Sequence, residues 1–367
     1  MLDLPFATTI LVMVPRFSHM NSLENIPKSS CSEICTVGFR KSTREGQGVC
    51  CYDCIPCSDG EISNQTDSPD CIKCQDNQWS NEKRDNCIPK STEFLSFQDS
   101  LGYILVAVAT ASALVPIVIL VIFFKHRETP IVKANNQVLS CLLLVALSLC
   151  FLSTFLFLGH PTDIKCMLQQ VTFSILFVMY VSCLLAKTVL VLMAFRATHP
   201  NTTLRSGLGP KVPAMIVFTF TLVQTLICVV WLASSPPYAQ RNMKSLIRKI
   251  VIECNEGSPQ AFWCVLGYMG LLALGSFLVA FKARKLPDSF NEAQLITFSM
   301  ITFLTVWTLF LPTYLNTKGK YMVAVEVFTI ISSSMGIVVC IFLPKCYIIL
   351  IRPDLNNRSH MKRKLSH

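Results

Sequence analysis

The sequence predicts an all-α membrane protein: a seven-transmembrane helix bundle preceded by a small, disulfide-rich extracellular module of the β-hairpin type. Three observations carry that expectation. Of 367 residues, 52% are hydrophobic and only 15% charged, against roughly 25% charged in an ordinary soluble domain. Charge is also divided along the chain: residues 1–100 hold 9 Lys/Arg and 14 Asp/Glu, whereas residues 101–367 hold 23 and 8. Nine of the 18 cysteines fall between Cys31 and Cys87. A single soluble core does not partition in this way, but a polar domain attached to a membrane domain does.

Residues 1–27 begin with an apolar run, Met1–Val14, that carries Asp3 and Pro5 and has no basic n-region. It therefore makes a poor signal peptide. Without one, the first span itself has to carry residues 1–100 across the membrane. Residues 28–93 form the cysteine module, with the pattern C-x3-C-x14-C-C-x2-C-x2-C-x13-C-x2-C-x12-C. So short and aliphatic-poor a segment needs cross-links or metal to hold a fold. The C-x2-C spacings suggest zinc ribbons, but no histidine lies within the segment and nine ligands do not divide into four-ligand sites. Disulfides formed in an oxidising compartment are the better reading, and they place this half of the chain outside the cell.

Residues 94–351 are the membrane domain. Seven apolar runs are each long enough at 1.5 Å per residue to cross a hydrocarbon layer of roughly 30 Å: Leu101–Phe124, Val138–Leu158, Met167–Met193, Val212–Ala233, Ala261–Phe281, Leu295–Leu315 and Met322–Leu343. The nine cysteines scattered among them read as small apolar residues of buried helices. With the amino terminus outside, the inner segments carry 15 Lys/Arg and the three outer loops carry 7, which obeys the positive-inside rule. The inner count includes six basic residues from Lys345 onward. Residues 352–367 are a basic cytoplasmic tail. Its Lys362-Arg363-Lys364 run either contacts anionic inner-leaflet lipid or is simply solvated.

Ionisable groups inside a bilayer are costly and call for a functional reading. Lys187 follows Cys166 by 21 residues, about 31 Å down the third span, at the inner boundary. Glu292 opens the sixth span at that boundary. Two readings stand: a Lys187–Glu292 contact that biases a two-state equilibrium, or two side chains that snorkel independently. Glu326 sits about one turn into the seventh span near the outer face, as a ligand contact or as a water-exposed structural group. The inner loops around Arg196, Arg205 and Lys211, and around Arg284, Lys285 and Pro287, are candidate contacts for a cytoplasmic partner; the bland alternative is turns that obey the charge rule. Cys166, at the start of the third span, faces two possible partners on the oxidising side, Cys254 and Cys264. Three sequons occur, at Asn64, Asn201 and Asn357, and only Asn64 falls on the glycosylated side of this topology. The sequence carries no G-x-S-x-G, no H-E-x-x-H and no Walker lysine loop, and its six histidines are scattered. We therefore expect no enzyme, no cofactor, no metal site and no nucleic-acid partner.

The cysteine block, the junction Glu93-Phe-Leu-Ser-Phe97 and seven spans together resemble family C G-protein-coupled receptors. Glu253-Cys-Asn-Glu-Gly-Ser258 is similar to the outer-loop motif of that family, Lys285-Leu-Pro-Asp-Ser-Phe-Asn-Glu-Ala293 to its third inner loop, and Pro344-Lys-Cys-Tyr-Ile-Ile-Leu350 to its end of helix seven. Within it, Trp231-Leu-Ala-Ser-Ser-Pro-Pro-Tyr238 and Leu315-Asn-Thr-Lys-Gly-Lys-Tyr-Met-Val-Ala-Val-Glu326 look most like vomeronasal type-2 receptors. The resemblance implies pairings Cys31–Cys51, Cys35–Cys54, Cys57–Cys71 and Cys74–Cys87, a loop disulfide Cys166–Cys254, and an inner-face lock between Lys187 and Glu292. It also implies that Trp307 lines a transmembrane cavity, where composition alone reads a core-packing Trp. Implied partners are a heterotrimeric G protein of the Go class, a homo- or heterodimeric receptor and the lipid bilayer. A peptide or protein pheromone joins them only where a longer form or a partner supplies a ligand domain.

Two departures accompany the resemblance. Only about 30 residues precede Cys31, so the bilobed ligand-binding ectodomain is expected to be missing. Cys50, which in relatives bridges to that ectodomain, is then unpaired and open to an intermolecular disulfide. The Asn-Arg found after the helix-three lysine in some relatives is Val189-Leu190 here. A truncated chemosensory receptor is the leading reading. A non-signalling partner of full-length receptors is the alternative, and a transporter or channel is the remote one. Glycan mapping on the expressed chain tests the topology beneath all three: sugar is expected at Asn64 alone, removed by Asn64→Gln, whereas sugar at Asn201 or Asn357 inverts the topology.

Overall fold

In a computed structural model of the chain, residues 31–48, 50–197, 211–243, 245–284 and 292–352 are described, apart from the side chains of Ala134, Arg196 and Ala197. Two compact units are present, Met1–Pro89 and Lys90–His367. The first 30 residues, including the candidate signal segment, and residues 353–367 of the basic tail lie outside the described residues.

The cysteine module is built from three two-stranded antiparallel hairpins: β1 (Phe39–Thr43) with β2 (Tyr52–Pro56), β3 (Glu61–Ile62) with β4 (Ile72–Lys73), and β5 (Gln78–Ser80) with β6 (Cys87–Pro89). Its buried apolar groups among the described residues are Cys35, Cys57, Cys74 and Ile62, so sulfur takes the place of an aliphatic core. Disulfides join Cys31 to Cys51, Cys35 to Cys54, Cys57 to Cys71 and Cys74 to Cys87. Each closes a loop of 13 to 20 residues, worth about 3 kcal/mol apiece in the chain-entropy account. Gly38 has φ +87°, and a Cβ there would collide with the Lys83 carbonyl oxygen, so a side chain is excluded by both conformation and space. Cys50 is exposed and forms no disulfide, and Asn64 is exposed.

The second unit opens with β7 (Ser91–Glu93), which pairs in parallel with β9 (Lys249–Asn255); β9 in turn pairs antiparallel with β8 (Tyr238–Asn242). This ladder ties Ser91–Glu93 to the second unit, which begins at Lys90. Among the described residues, eight α-helices follow in order: α1 (Ser100–Lys125), α2 (Pro130–Ala134), α3 (Gln137–Ser153, continued as a 3₁₀ turn over Thr154–Phe157), α4 (Asp163–Ala197), α5 (Lys211–Ser234), α6 (Pro259–Ala283), α7 (Glu292–Asn316) and α8 (Lys320–Leu350). All but α2 are long and apolar enough to span a membrane, seven in all among the described residues. Hydrocarbon forces this outcome, since a spanning backbone has no water with which to satisfy its N–H and C=O groups.

Burial sorts the helices. α4 packs against α3, α5, α6 and α7 and so runs through the middle, while α5 is the least buried of the spans and lies outside. Outward positions such as Val121, Leu271 and Phe328 are apolar and exposed, as a lipid-facing surface requires. Prolines Pro116, Pro312 and Pro344 lie within α1, α7 and α8. Around Pro312, the Thr308 and Thr313 hydroxyls and the Asn316 amide donate back to carbonyls one turn earlier, Asn316 to that of Pro312 itself. The expected seventh span stopped at Leu343, but α8 continues to Leu350. Lys345, counted from sequence with the cytoplasmic basic residues, is therefore buried inside the bundle at 4% exposure. Pro344 was the misleading signal: in a membrane helix a proline need not end the element.

Asp67 organises the first hairpin. It has φ 63°, accepts from the Cys35 amide at 2.9 Å and pairs with Lys41 at 3.2 Å. The Cys35 N–H, foremost, and then Lys41 and Tyr52 hold its carboxyl below the usual carboxylate range. A depressed folded-state pKa contributes stability that is present above the unfolded value of about 3.9 and is lost as pH falls through the folded one. Protection of the Cys35 amide, measured by hydrogen exchange, is expected to fall on acidification below about pH 4 in the wild type and to be low at every pH in Asp67→Ala.

Candidate functional site

The inner end of the bundle concentrates buried charge. Lys187 reaches it because α4 runs straight from Cys166 at its outer end, and α7 begins with Glu292 at the same level. Lys187 Nζ lies 3.0 Å from Glu292 Oε1, with side-chain exposures of 1% and 13%. The Lys187 ammonium also donates to the Asn135 backbone oxygen, to Asn135 Oδ1 and to Ser140 Oγ, each at 2.9 Å. Asn135 caps the C-terminus of the short helix α2. Asn136, in left-handed conformation, then caps the start of α3 by accepting from the Leu139 amide. The Asn135-Asn136 turn thus supplies both the acceptors and the chain reversal that places Ser140 beneath them.

A second lysine completes the cluster. Lys345 Nζ from α8 lies 3.0 Å from the same Glu292 oxygen and 2.6 Å from Asn135 Oδ1. Its side chain is 5% exposed. Ions this far from water lose several kcal/mol of solvation each, and removing one partner of such a pair costs about 3–5 kcal/mol. The geometry therefore ties α4, α7, α8 and the α2–α3 turn together through shared buried contacts.

At the outer end, Cys166 of α4 is bonded to Cys254 of β9, while Cys264 is free and exposed. The Asp163 carboxylate accepts from the Ala239 amide at 2.8 Å, a second tie between α4 and the hairpin. Glu93 of β7 pairs with Lys249 of β9 at 2.6 Å, and Asp99 pairs with Lys320 at 3.1 Å. The Leu95 carbonyl accepts from Gly159 N–H at 2.7 Å. The chain entering the bundle is thus held by the second outer loop and by the starts of α4 and α8.

Between the two ends lies a cavity of about 100 Å³ whose lining includes Phe173, Phe262, Leu266, Trp307, Tyr314 and Glu326. Trp307 stacks on Phe173 at 5.9 Å and meets Phe177 edge-on at 5.7 Å. Its Nε1–H has no hydrogen-bond partner among the described residues, which leaves a donor available at an aromatic wall. Glu326 also lines a smaller pocket above, together with Glu253 and Glu256. The arrangement suits a compact, mostly apolar molecule with an acceptor or a cationic end.

Of the loop residues singled out, Lys211 opens α5 and is exposed, and Arg284 is exposed with its guanidinium 3.7 Å over the Phe281 ring. The Arg196 side chain, Arg205, Lys285 and Pro287 lie outside the described residues. Sequence reading missed Lys345, Asn135 and Ser140. An available signal was the apolar run Tyr347-Ile-Ile-Leu-Ile351 after Pro344, which extends the span and carries Lys345 inward.

Comparison with known proteins places this geometry. The profile "7 transmembrane sweet-taste receptor of 3 GCPR" matches residues 95–345, and "Nine Cysteines Domain of family 3 GPCR" matches residues 26–80. Vomeronasal type-2 receptor 26 of Mus musculus is 48% identical over 332 residues, covering 90% of this chain and 39% of the relative. The extracellular calcium-sensing receptor of Homo sapiens is 46% identical over 90% of this chain and 31% of its own length. G-protein coupled receptor family C group 6 member A of Homo sapiens is 35% identical over 95% and 37%. The chain thus spans no more than about two fifths of the length of these relatives. Matched across its membrane domain and its cysteine module, the chain belongs to family C of the G-protein-coupled receptors and is a multi-pass cell-membrane protein with that module on the extracellular side.

Proposed function

We propose that this chain is the transducing part of a vomeronasal type-2-like chemosensory receptor, with guanine-nucleotide exchange on a heterotrimeric G protein as its output. The observation that carries the reading is the buried Lys187–Glu292 contact at the inner ends of α4 and α7. Such a contact favours the closed arrangement of the inner face. A ligand acts by favouring the open one by more than that bias. Lys211 and Arg284, with Arg196, Arg205, Lys285 and Pro287, are the proposed contacts for a G protein of the Go class. The Trp307–Glu326 cavity is the proposed site for a modulator within the bundle. A peptide or protein pheromone is sensed where a ligand domain is supplied by a longer form or by a partner in a receptor dimer.

A second reading rests on Cys50, which is exposed and outside the four module disulfides. In that reading the chain pairs covalently with full-length receptors and alters their trafficking rather than signalling itself.

Two measurements separate these readings. At matched surface expression, Lys187→Ala and Glu292→Ala are expected to raise basal nucleotide exchange on Go. A loss of about 1.4 kcal/mol of inactive-state bias raises a minor active population roughly tenfold. Unchanged basal exchange in both variants removes the lock from the mechanism. Non-reducing electrophoresis after co-expression with a full-length relative tests the alternative: a mixed disulfide that disappears in Cys50→Ser supports the pairing reading, and its absence in the wild type ends it.

A further inference from the structure

Glu292 does not serve one lysine. Its Oε1 is 3.0 Å from Lys187 Nζ and 3.0 Å from Lys345 Nζ. Asn135 Oδ1 is shared in the same way, at 2.9 and 2.6 Å. Two cations and two oxygens therefore alternate in a ring whose ammonium groups lie within about 5.5 Å of each other, where their repulsion in a low-dielectric setting is substantial.

Asn135 adds an independent sign that this arrangement is selected. Two ammonium donors fix which end of its amide is oxygen, and its Nδ2 is left buried with no hydrogen-bond partner among the described residues. An unsatisfied buried amide N–H is destabilising. The side chain bears that cost in the orientation that screens one lysine from the other.

We propose that Lys345 is a positioning residue of the inner switch: with Asn135 it holds Glu292 against Lys187, so that α8 as well as α4 restrains the start of α7. The clamp is then graded rather than single. Removing either lysine leaves Glu292 in contact with the other, whereas removing the carboxylate withdraws the oxygen that both ammonium groups share. For its effect on signalling this rests on the lock reading above; the restraint on α7 does not.

The test uses the 367-residue chain in lipid nanodiscs, with deuterium uptake over Glu292–Ser299 as the readout, and basal exchange on Go recorded in parallel. Lys345→Met keeps length and removes charge, and uptake is expected to rise about fivefold, with a larger rise in Glu292→Gln and near-native uptake in Lys345→Arg. Uptake in Lys345→Met equal to wild type overturns the proposal, as does an equal rise in Lys345→Met and Lys345→Arg, which would mark a role in shape rather than charge. Should Lys345→Met fail to reach the membrane, Asn135→Ala carries the same test, with increased uptake expected and unchanged uptake overturning. Raised uptake in Lys345→Met together with unchanged basal exchange in Lys187→Ala and Glu292→Ala upholds the clamp and removes only the signalling reading.

Discussion

Everything at the inner end of this bundle follows from one demand: the Lys187 ammonium, at 1% side-chain exposure, has to be satisfied without water. Four oxygens meet it, from the α2–α3 turn, from α3 and from α7. That requirement sets where α2 ends, why Asn136 reverses the chain at positive φ, and how close the start of α7 comes to α4. The same helix is fixed at its other end by the Cys166–Cys254 bond. α4 is thus a strut with a covalent anchor outside and an ionic one inside. The outer anchor survives any change of state, and only the inner one is free to exchange partners.

The polar groups that remain inside the bundle are arranged by depth. Aromatic rings of α4 and α7 occupy the middle, where Phe173, Phe177, Phe303 and Trp307 lie 5.3 to 6.0 Å apart. Carboxyl groups border the cavity towards the outside, and the buried lysines lie further in, at the inner end of the bundle. A molecule entering from the outer face meets a polar rim of Glu253, Glu256, Lys320 and Glu326 before an apolar wall. The cations that hold the inner face shut lie beyond that wall, so cavity and clamp communicate only by movement of α4, α7 and α8 against one another.

What was legible in the sequence was whatever depends on composition over many residues. Seven spans follow from hydropathy, their orientation from loop charge, and a cross-linked module from nine cysteines in 57 residues. The module pairings came only through family likeness, because nine cysteines admit many connectivities. Lys345 was misplaced because Pro344 reads as a helix terminator in water, while in lipid the helix continues through it. The sheet at the outer end was not read at all. β7 has three residues, carries Glu93, and pairs with a strand more than 150 positions away (Ser91 opposite Lys249); no local periodicity announces such a pairing.

That short sheet has a mechanical consequence. β7 runs parallel to β9, with its hydrogen bonds spaced evenly along the strand, and the chain enters it from Lys90. Tension along the entering chain therefore loads the ladder in shear, so its bonds and the Glu93–Lys249 ion pair share the strain, rather than opening one at a time as at the end of a hairpin. Because β9 carries Cys254, the sheared ladder leads through a covalent bond to the top of α4. A pull or twist arriving at Lys90 is thus delivered to the central helix with little slack, which is the behaviour of a stiff coupling rather than of a tether.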